Sequence, residues 1–410
     1  MRGRYGILAV LTFAYFVNYL DRGAISVAIP FIGKDLHLDH TEMGLAMSAF
    51  FLGFVLLELP AGWLSDKFGC RTLATLGILW WSVFTFLTGL VGSMSGLVAT
   101  RTVFGLGEGL YPPVSLKAIS QWFSKNERAW ANGIMLSATN LGLATVAFLG
   151  VIFIAHWGWR SLFFAIAVPG VVAAVLLAAI YRDPGPCSRR RAPLGDLLAK
   201  PIIWLWAIGW FFVFVAFWGF SSWLPTYLLQ ARHLPLRLMG TVVAVSYACG
   251  VVGMLLGGFA SGRLRRRAFT ILPALGLAAV AIGFGYLTPG IWPVVLGFSL
   301  GNLGISAVPS AFYALPMDAL PPERVGAALG LVNSVGMISG IVAPTLVGYI
   351  VDRTGSFGGG FMVIVGSLVA AAILVWVAGE RRILWPPVRE EFGGVVAWPV
   401  MPADWPVLLP

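Results

Sequence analysis

Charged side chains are scarce in this sequence. Only 11% of its 410 residues are Asp, Glu, Lys or Arg, whereas 59% are hydrophobic and the mean hydropathy is +0.87. Soluble globular domains carry about 25% charged residues, so a composition this poor in charge excludes that class. The sequence consists instead of apolar runs of about 20 residues, each long enough to cross a bilayer as a helix.

Cysteine and histidine are also rare. No cysteine has a metal-ligand spacing, so we expect no disulfide, no metal site and no other cofactor. None of the four histidines lies in the middle of an apolar run, and no cysteine has an obvious base, which argues against a membrane-embedded enzyme. These residues are Cys70, Cys187, Cys249, His37, His40, His156 and His233.

Twelve apolar runs predict an all-α polytopic membrane protein with twelve transmembrane helices. The first run is too long for a signal peptide and no small-residue cleavage site follows it, so we expect it to remain as the first span. The runs lie near 7–30, 42–61, 72–93, 96–116, 129–154, 160–181, 201–229, 238–261, 269–288, 291–316, 325–350 and 360–379.

Basic residues are distributed unevenly between these spans. With a cytoplasmic N-terminus, 20 of the 27 Lys and Arg residues lie in cytoplasmic segments, two in the membrane and five on the opposite side. This positive-inside bias predicts an inner or plasma membrane protein with both termini in the cytoplasm. The basic clusters at 189–191 and 263–267 then set the topology, and the net charge of +10 does not indicate nucleic-acid binding.

Two pairs of polar loops recur at one spacing. The loop GWLSDKFGCR begins at Gly62 and GFASGRLRRR begins at Gly258, and the Glu-Arg pairs that start at Glu127 and Glu323 are also 196 residues apart. The chain therefore has the pattern of a duplicated six-helix unit. The predicted division is an N-terminal half 1–181, a cytoplasmic linker 182–200, a C-terminal half 201–379 and a Trp- and Pro-rich cytoplasmic tail 380–410.

Two pairs of ionisable residues interrupt the apolar runs: Asp21 and Arg22 in the first, Arg101 and Glu108 in the fourth. Such groups usually face a water-filled cavity or a partner, and they mark substrate or proton paths. Arginine binds carboxylates bidentately, and a buried carboxylate beside an arginine is poised to exchange a proton. The pattern predicts an anion site coupled to protons; the alternative is an ion network that only stabilises the fold.

The loop after the second span resembles a motif of the major facilitator superfamily, which has two parallel-related halves and a midplane site. The resemblance implies that the aspartate of this motif pairs with a basic residue of a neighbouring helix and holds the cytoplasmic side shut. The alternative is a turn whose charges only set the topology. The matching residues are Gly62, Asp66, Lys67, Gly69 and Arg71.

Motifs in the first half are similar to those of the anion:cation symporter family, which includes galactonate, glucarate and hexuronate transporters. They are NYLDR in helix 1, PAGWLSDKFG in helix 2 and Arg101-x3-Gly105-x-Gly107-Glu108-Gly109-x2-Pro112 in helix 4. The resemblance implies that two arginines bind the substrate carboxylate, that two acids carry protons and that two further residues lie near the substrate. These are, in that order, Arg22 and Arg101, Asp21 and Glu108, and Tyr19 and Asn333.

The sequence departs from the family in helix 2. Sugar-acid transporters often have Tyr and Gln where this chain has Phe54 and Glu58. Phe54 is expected in the substrate site and argues against a heavily hydroxylated substrate, while Glu58 is expected to pair with a cytoplasmic arginine or to join the proton path. Helix 7 is rich in aromatic residues, which we expect to face lipid; the alternative is that some line a cavity for an aromatic or hydroxyl-poor acid.

The resemblance implies a proton-coupled importer of a small organic carboxylate, either a sugar acid or another organic acid. We expect it to work by alternating access, as a monomer in membrane lipid and without a cofactor. A facilitator or a proton-driven exporter on the same fold is the alternative, because topology does not set direction. A non-transporting sensor is a third possibility, but sensors generally append a long soluble extension that is not found here.

Overall fold

The computed structural model describes residues 2–124, 127–183, 197–264, 267–320 and 322–380, and over these it is helical. Most of the predicted linker, the tail 381–410, Cys187 and the basic cluster 189–191 lie outside the described residues. The helices are α1 (Arg2–Leu36), α2 (His40–Phe68), α3 (Cys70–Thr88), α4 (Met94–Gly109), α5 (Tyr111–Trp122), α6 (Arg128–Trp157), α7 (Trp159–Ile180), α8 (Pro201–Gln230), α9 (Leu236–Arg263), α10 (Ala268–Leu287), α11 (Ile291–Phe312), α12 (Ala314–Ala319), α13 (Pro322–Thr354) and α14 (Gly358–Glu380).

Twelve membrane crossings follow from these helices, as predicted. Within the described ranges, ten helices are long and apolar enough to cross a membrane. The other two crossings are α1 and the consecutive helices α4 and α5, which carry the intramembrane charges. The fourth crossing is divided at Leu110, and Pro112 and Pro113 stand in the first turn of α5. Proline is tolerated in the first turn of a helix, whereas in the interior of a continuous helix it removes a backbone hydrogen bond.

The packing of the helices repeats between the two halves of the chain. In the N-terminal half, α1–α7, the crossings pair first with fifth (α1/α6), second with fourth (α2/α4) and third with sixth (α3/α7). The C-terminal half, α8–α14, has the equivalent pairs α8/α13, α9/α11 and α10/α14. Two packed six-helix units of one design are what the loop repeat in the sequence predicts.

The two halves face each other along three helix pairs, α1/α8, α2/α13 and α6/α9. On the membrane side opposite the termini, Asp352 of α13 accepts hydrogen bonds from the backbone N–H groups of His40 (3.1 Å) and Thr41 (2.7 Å), which begin α2. The first N–H groups of a helix have no partner within it, so this carboxylate caps α2 from the other half. The His40 ring also lies 2.9 Å from Oε1 of Gln230 in α8. Direct polar contacts therefore join the halves on this side.

Glycines let α2 and α4 approach until their backbones touch. A Cβ atom on Gly105 would overlap the backbone carbonyl oxygen of Phe50, and one on Gly53 would overlap that of Thr102. Small residues allow such contacts between membrane helices, where dispersion contacts replace the hydrophobic effect as the driving force. This close approach fixes the position of α4, and hence of its two charged residues, against the aromatic face of α2.

Gly105→Ala is expected to lower the melting temperature of the detergent-solubilised protein by a few degrees, since overpacking at a rigid contact costs about 1–3 kcal/mol. The matched control is Gly133→Ala in α6, because a Cβ atom there meets nothing within 4 Å. Equal melting temperatures for the two variants, measured by tryptophan fluorescence, would contradict a tight α2/α4 contact.

Candidate functional site

The four charged side chains that interrupt the first and fourth crossings lie together inside the N-terminal half. Asp21 and Arg22 project from α1, and Arg101 and Glu108 project from one face of α4, on which they are seven residues or two turns apart. All four side chains are buried; Arg101 is 1% exposed and Glu108 is fully buried. The cluster thus assembles from the two motifs that the sequence singles out.

Arg22 and Glu108 form a buried ion pair, with 2.5 Å between Nε and Oε2. The Arg22 guanidinium is also surrounded by aromatic rings, whose centroids lie at 4.8 Å in Tyr19, 5.0 Å in Phe50 and 4.6 Å in Phe54. Such rings attract the cation and exclude water. Nη2 of Arg22 has no hydrogen-bond partner. The guanidinium therefore keeps a donor that a ligand can use.

Arg101 has no such partner. Among the residues that the structure describes, no carboxylate lies within 4.0 Å of its guanidinium, and its buried Nε has no hydrogen-bond partner. Its contacts are with the rings of Phe104 and Phe50, whose centroids lie at 4.3 and 5.5 Å. Glu108 and Asp21 attract this charge from beyond that distance, but their attraction does not fully offset the cost of removing the ion from water. This guanidinium is therefore the strongest candidate in the cluster for binding an anion.

Asp21 points away from this arrangement. Its carboxylate lies beside Trp81 and Thr85 of α3, inside the N-terminal half. It forms no ion pair with either arginine of the cluster. Successive residues of a helix project about 100° apart, so Asp21 and Arg22 cannot face the same way. Of the two acids expected to compete with substrate for the arginines, only Glu108 forms an ion pair with one of them.

A small cavity connects the two arginines to the C-terminal half. Its volume is about 20 Å³, which is room for roughly one water molecule. Three short hydroxyl side chains line it, and sequence reasoning missed them because single serines in a long apolar run carry no distinct signal. The lining residues are Arg22, Gly23, Ile25, Ser26, Met47, Phe50, Phe51, Arg101 and Leu143 from the N-terminal half, and Trp218, Ser221 and Ser222 from α8.

The aromatic residues of α8 are mostly inside the protein. Trp204 is exposed and fits the expected contact with lipid, but Trp210, Phe217 and Trp218 are buried. Trp218 lies against Phe51 of α2, with 4.7 Å between ring centroids. The expectation of a lipid-facing aromatic helix is therefore wrong for these buried residues, because α8 packs between α1 and α13 rather than at the edge of the protein.

Glu58 joins the halves one turn from Phe54. Its Oε1 accepts a short hydrogen bond from Nδ2 of Asn333 in α13, and Oδ1 of Asn333 accepts a 2.9 Å bond from the hydroxyl of Tyr313. The expected pairing of Glu58 with a cytoplasmic arginine is not found among the described residues, where its partner on α13 is this asparagine. Asn333, expected near the substrate, lies outside the cavity lining and is held by Glu58.

The loop motif holds the N-terminal half together. Oδ1 of Asp66 accepts a 2.6 Å bond from Nζ of Lys117 in α5, and the same ammonium donates to the Ser65 hydroxyl at 3.0 Å. The predicted pairing of this aspartate with a neighbouring helix is thus present, but within one half. A contact that holds the two halves together on this side stays a prediction.

The remaining motif residues surround the α2–α3 turn. Gly69 has φ of 82°, a conformation that favours glycine and reverses the chain between the helices. Nε of Arg71 donates to the backbone carbonyl of Ala178 in α7 at 2.9 Å. The Lys67 ammonium lies 5.2 Å from an aromatic ring centroid of α2, and Gly62 borders open space. These contacts connect α2, α3 and α7.

Comparison with known proteins places the chain in a family. The model of the Major Facilitator Superfamily matches residues 11–344. The chain is 31% identical to the "Probable sulfoacetate transporter SauU" of Cupriavidus necator, over 91% of this chain and 93% of that protein. It is 29% identical to the hexuronate transporter of Bacillus subtilis, over 96% and 98%.

A solved structure supports the same fold. It is a bacterial homolog of the human lysosomal transporter Spinster, in an inward-facing and unoccupied conformation, with a TM-score of 0.79 and 21% sequence identity. The match covers 94% of this chain and 99% of that one. The family model and the relatives show that the chain belongs to the Major Facilitator Superfamily, and that it is a multi-pass membrane transporter, not an enzyme.

Proposed function

We propose that this protein is a secondary transporter that imports a small organic anion together with protons, with the anion bound between Arg22 and Arg101. The observation that carries the proposal is the unpaired, buried guanidinium of Arg101, on a cavity lined by both halves. A site at the interface of two rocking halves is the arrangement that alternating access requires. Both relatives described above are named for organic acids, which adds support.

The walls of the cavity favour a compact acid with few hydroxyl groups. The two guanidinium groups suit one carboxylate or sulfonate, which they bind through parallel hydrogen bonds. The other walls are apolar rings and a methionine, with hydroxyls only at Ser26, Ser221 and Ser222. The cavity is contracted in this conformation, so the halves must separate before an anion enters.

Glu108 links the anion to a proton. While it is ionised it holds Arg22, so only one guanidinium is available to an anion. Protonation removes its negative charge and releases Arg22, and the two arginines then bind the anion together. Loss of the proton restores the ion pair and expels the anion. Asp21, which pairs with neither arginine, is proposed as a second proton carrier behind the site.

With cytoplasmic termini in a plasma membrane, an inward proton gradient drives this cycle toward import. Protons and anion bind at the side opposite the termini, where both are presented to the outward-open protein. The polar contacts of Asp352 with the start of α2 must then break in the outward-open state and form again when the anion is released on the other side. Asp66 and Lys117 lie at the entrance that opens for release.

The test is uptake of labelled acids into proteoliposomes that contain the full-length protein and carry an imposed inward proton gradient. Gluconate, glucuronate, sulfoacetate, isethionate and 4-hydroxybenzoate cover the acid classes. We expect accumulation that a protonophore abolishes and that Arg22→Ala removes, whereas Arg160→Ala, an exposed arginine paired with Asp35 at 2.6 Å, leaves it intact. Exchange without accumulation would indicate a facilitator, and gradient-driven efflux would indicate an exporter. Uptake that is unchanged in Arg22→Ala would exclude the proposed site.

A further inference from the structure

Glu58 lies on the contact between the two halves, close to the arginine site. α2 and α13 run antiparallel, and residues seven apart on each helix meet across the contact: Phe51 lies against Gly340, and Glu58 against Asn333. Phe54, which stacks on Arg22, is four residues from Glu58, about 6 Å along the helix. Glu58 therefore lies about one helical turn beyond the Phe54 ring that packs on Arg22, on the side of the termini and outside the residues that line the cavity.

The hydrogen bonds around Glu58 leave one carboxylate oxygen free. Because the Tyr313 hydroxyl donates to Oδ1 of Asn333, the amide must turn its Nδ2 donor toward Glu58, where Oε1 accepts it. Oε2 of Glu58 is buried without a partner, and the side chain is only 7% exposed overall. Among the described residues no cation lies within ion-pair distance of Glu58. A buried acceptor in this state favours a hydrogen-bond donor from a ligand.

We infer that Glu58 sets the charge of the accepted substrate. The transported acid carries one anionic group, which binds the arginines, and presents a neutral or cationic donor, a hydroxyl or an amine, to Oε2 of Glu58. When Glu58 is ionised, a second carboxylate or sulfonate at that end meets a buried like charge and is rejected, because like charges at close range are strongly unfavourable. Specificity of this kind comes from repulsion of the wrong ligand as much as from attraction of the right one. This inference rests on the proposed function.

The test uses pairs of acids that share a carbon skeleton and differ in one anionic group. They are gluconate with glucarate, and isethionate with sulfoacetate. Each acid competes for uptake of the acid that the wild type accumulates, and each is added to the purified full-length protein to measure the rise in melting temperature on binding. We expect the monoanion of each pair to half-inhibit at a concentration about tenfold lower or more than the dianion.

Glu58→Gln keeps the shape of the side chain and removes its charge. The ratio compared is that of the half-inhibiting concentration of the dianion to that of the monoanion. Glu58→Gln is expected to reduce this ratio to within about threefold, because the dianion inhibits better. Glu58→Asp is expected to leave the ratio as it is in the wild type. The control is Glu127→Gln, the same change at an exposed carboxylate that pairs with Arg4 at 2.9 Å, and it is expected to leave the ratio unchanged. Glu58→Ser is a second neutral variant should Glu58→Gln fail to fold.

Two results would overturn the inference while the proposed function stands. One is that the acids bind, but the ratio of half-inhibiting concentrations of dianion and monoanion is the same in the wild type and in Glu58→Gln. The other is loss of gradient-driven accumulation in Glu58→Gln with an unchanged ratio, which would assign Glu58 to the proton path. If none of the acids competes, accumulates or raises the melting temperature, the proposed function itself is wrong, and the inference falls with it.

Discussion

Arg101→Met is expected to reduce uptake at least about a hundredfold while raising the melting temperature of the purified protein by a few degrees. The anion loses its unpaired guanidinium, whose charge-assisted hydrogen bonds are the strongest that this cavity offers. The fold loses a buried charge that has no partner, and apolar replacement of buried ions often stabilises by about 1–4 kcal/mol. Functional residues commonly show this exchange of stability for activity.

The opposite result is expected for Arg22→Met, which leaves Glu108 without its partner. Removing one member of a buried ion pair costs about 3–5 kcal/mol, so the melting temperature should fall. Arg22→Met combined with Glu108→Gln should recover most of that loss, because no unpaired carboxylate remains. Uptake should be lost in Arg101→Met, in Arg22→Met and in the double variant.

These melting temperatures separate a substrate site from a structural ion network. If Arg101→Met lowers the melting temperature as Arg22→Met does, then Arg101 stabilises the fold through a charge partner, and the case for an anion site fails. Arg101→Lys is the conservative comparison. It keeps the charge but loses the planar fork that binds a carboxylate through two parallel bonds, so an intermediate uptake rate is expected.

The number of membrane crossings and their duplication could be predicted from the sequence, because both depend on patterns along the chain. The lengths of the apolar runs set the number of crossings. The loops at Gly62 and Gly258 are as far apart as the loops at Glu127 and Glu323, and this shared spacing predicts two equivalent units. Pairing of the helices within each unit depends on which faces interlock. The α2/α4 contact, for example, depends on Gly53 and Gly105 meeting a backbone that no local pattern identifies.

The residue types of the candidate site could also be predicted, since a charge inside an apolar run is visible in the sequence. Its pairings could not be, because they depend on the direction of each side chain. Asp21 and Arg22 are neighbours in the chain, yet only Arg22 meets the carboxylate of Glu108. The partner of Glu58 is set by the register of α2 against α13, which brings Asn333 and not an arginine opposite it. Ser221 and Ser222 gain significance only from the cavity that they line.

Glu108→Gln is expected to abolish accumulation of the acid against its gradient, so that the internal concentration no longer exceeds the external one, while exchange of labelled for unlabelled acid continues. Glutamine resembles the protonated acid: it has no charge to hold Arg22 and no proton to release. Both arginines then stay available to the anion on either side of the membrane. Continued accumulation in this variant would place the coupling proton elsewhere.

The pH dependence of binding distinguishes the two acids of the cluster. In the wild type, anion affinity should fall as pH rises, since loss of the Glu108 proton restores its ion pair with Arg22. Glu108→Gln should remove this dependence. Asp21→Asn should keep it, because Asp21 pairs with neither arginine, and should still impair accumulation if Asp21 carries the second proton. Calorimetry between pH 5 and 8 measures the anion affinity of the wild type and of both variants. If the anion affinity of Glu108→Gln still depended on pH, another group would release Arg22.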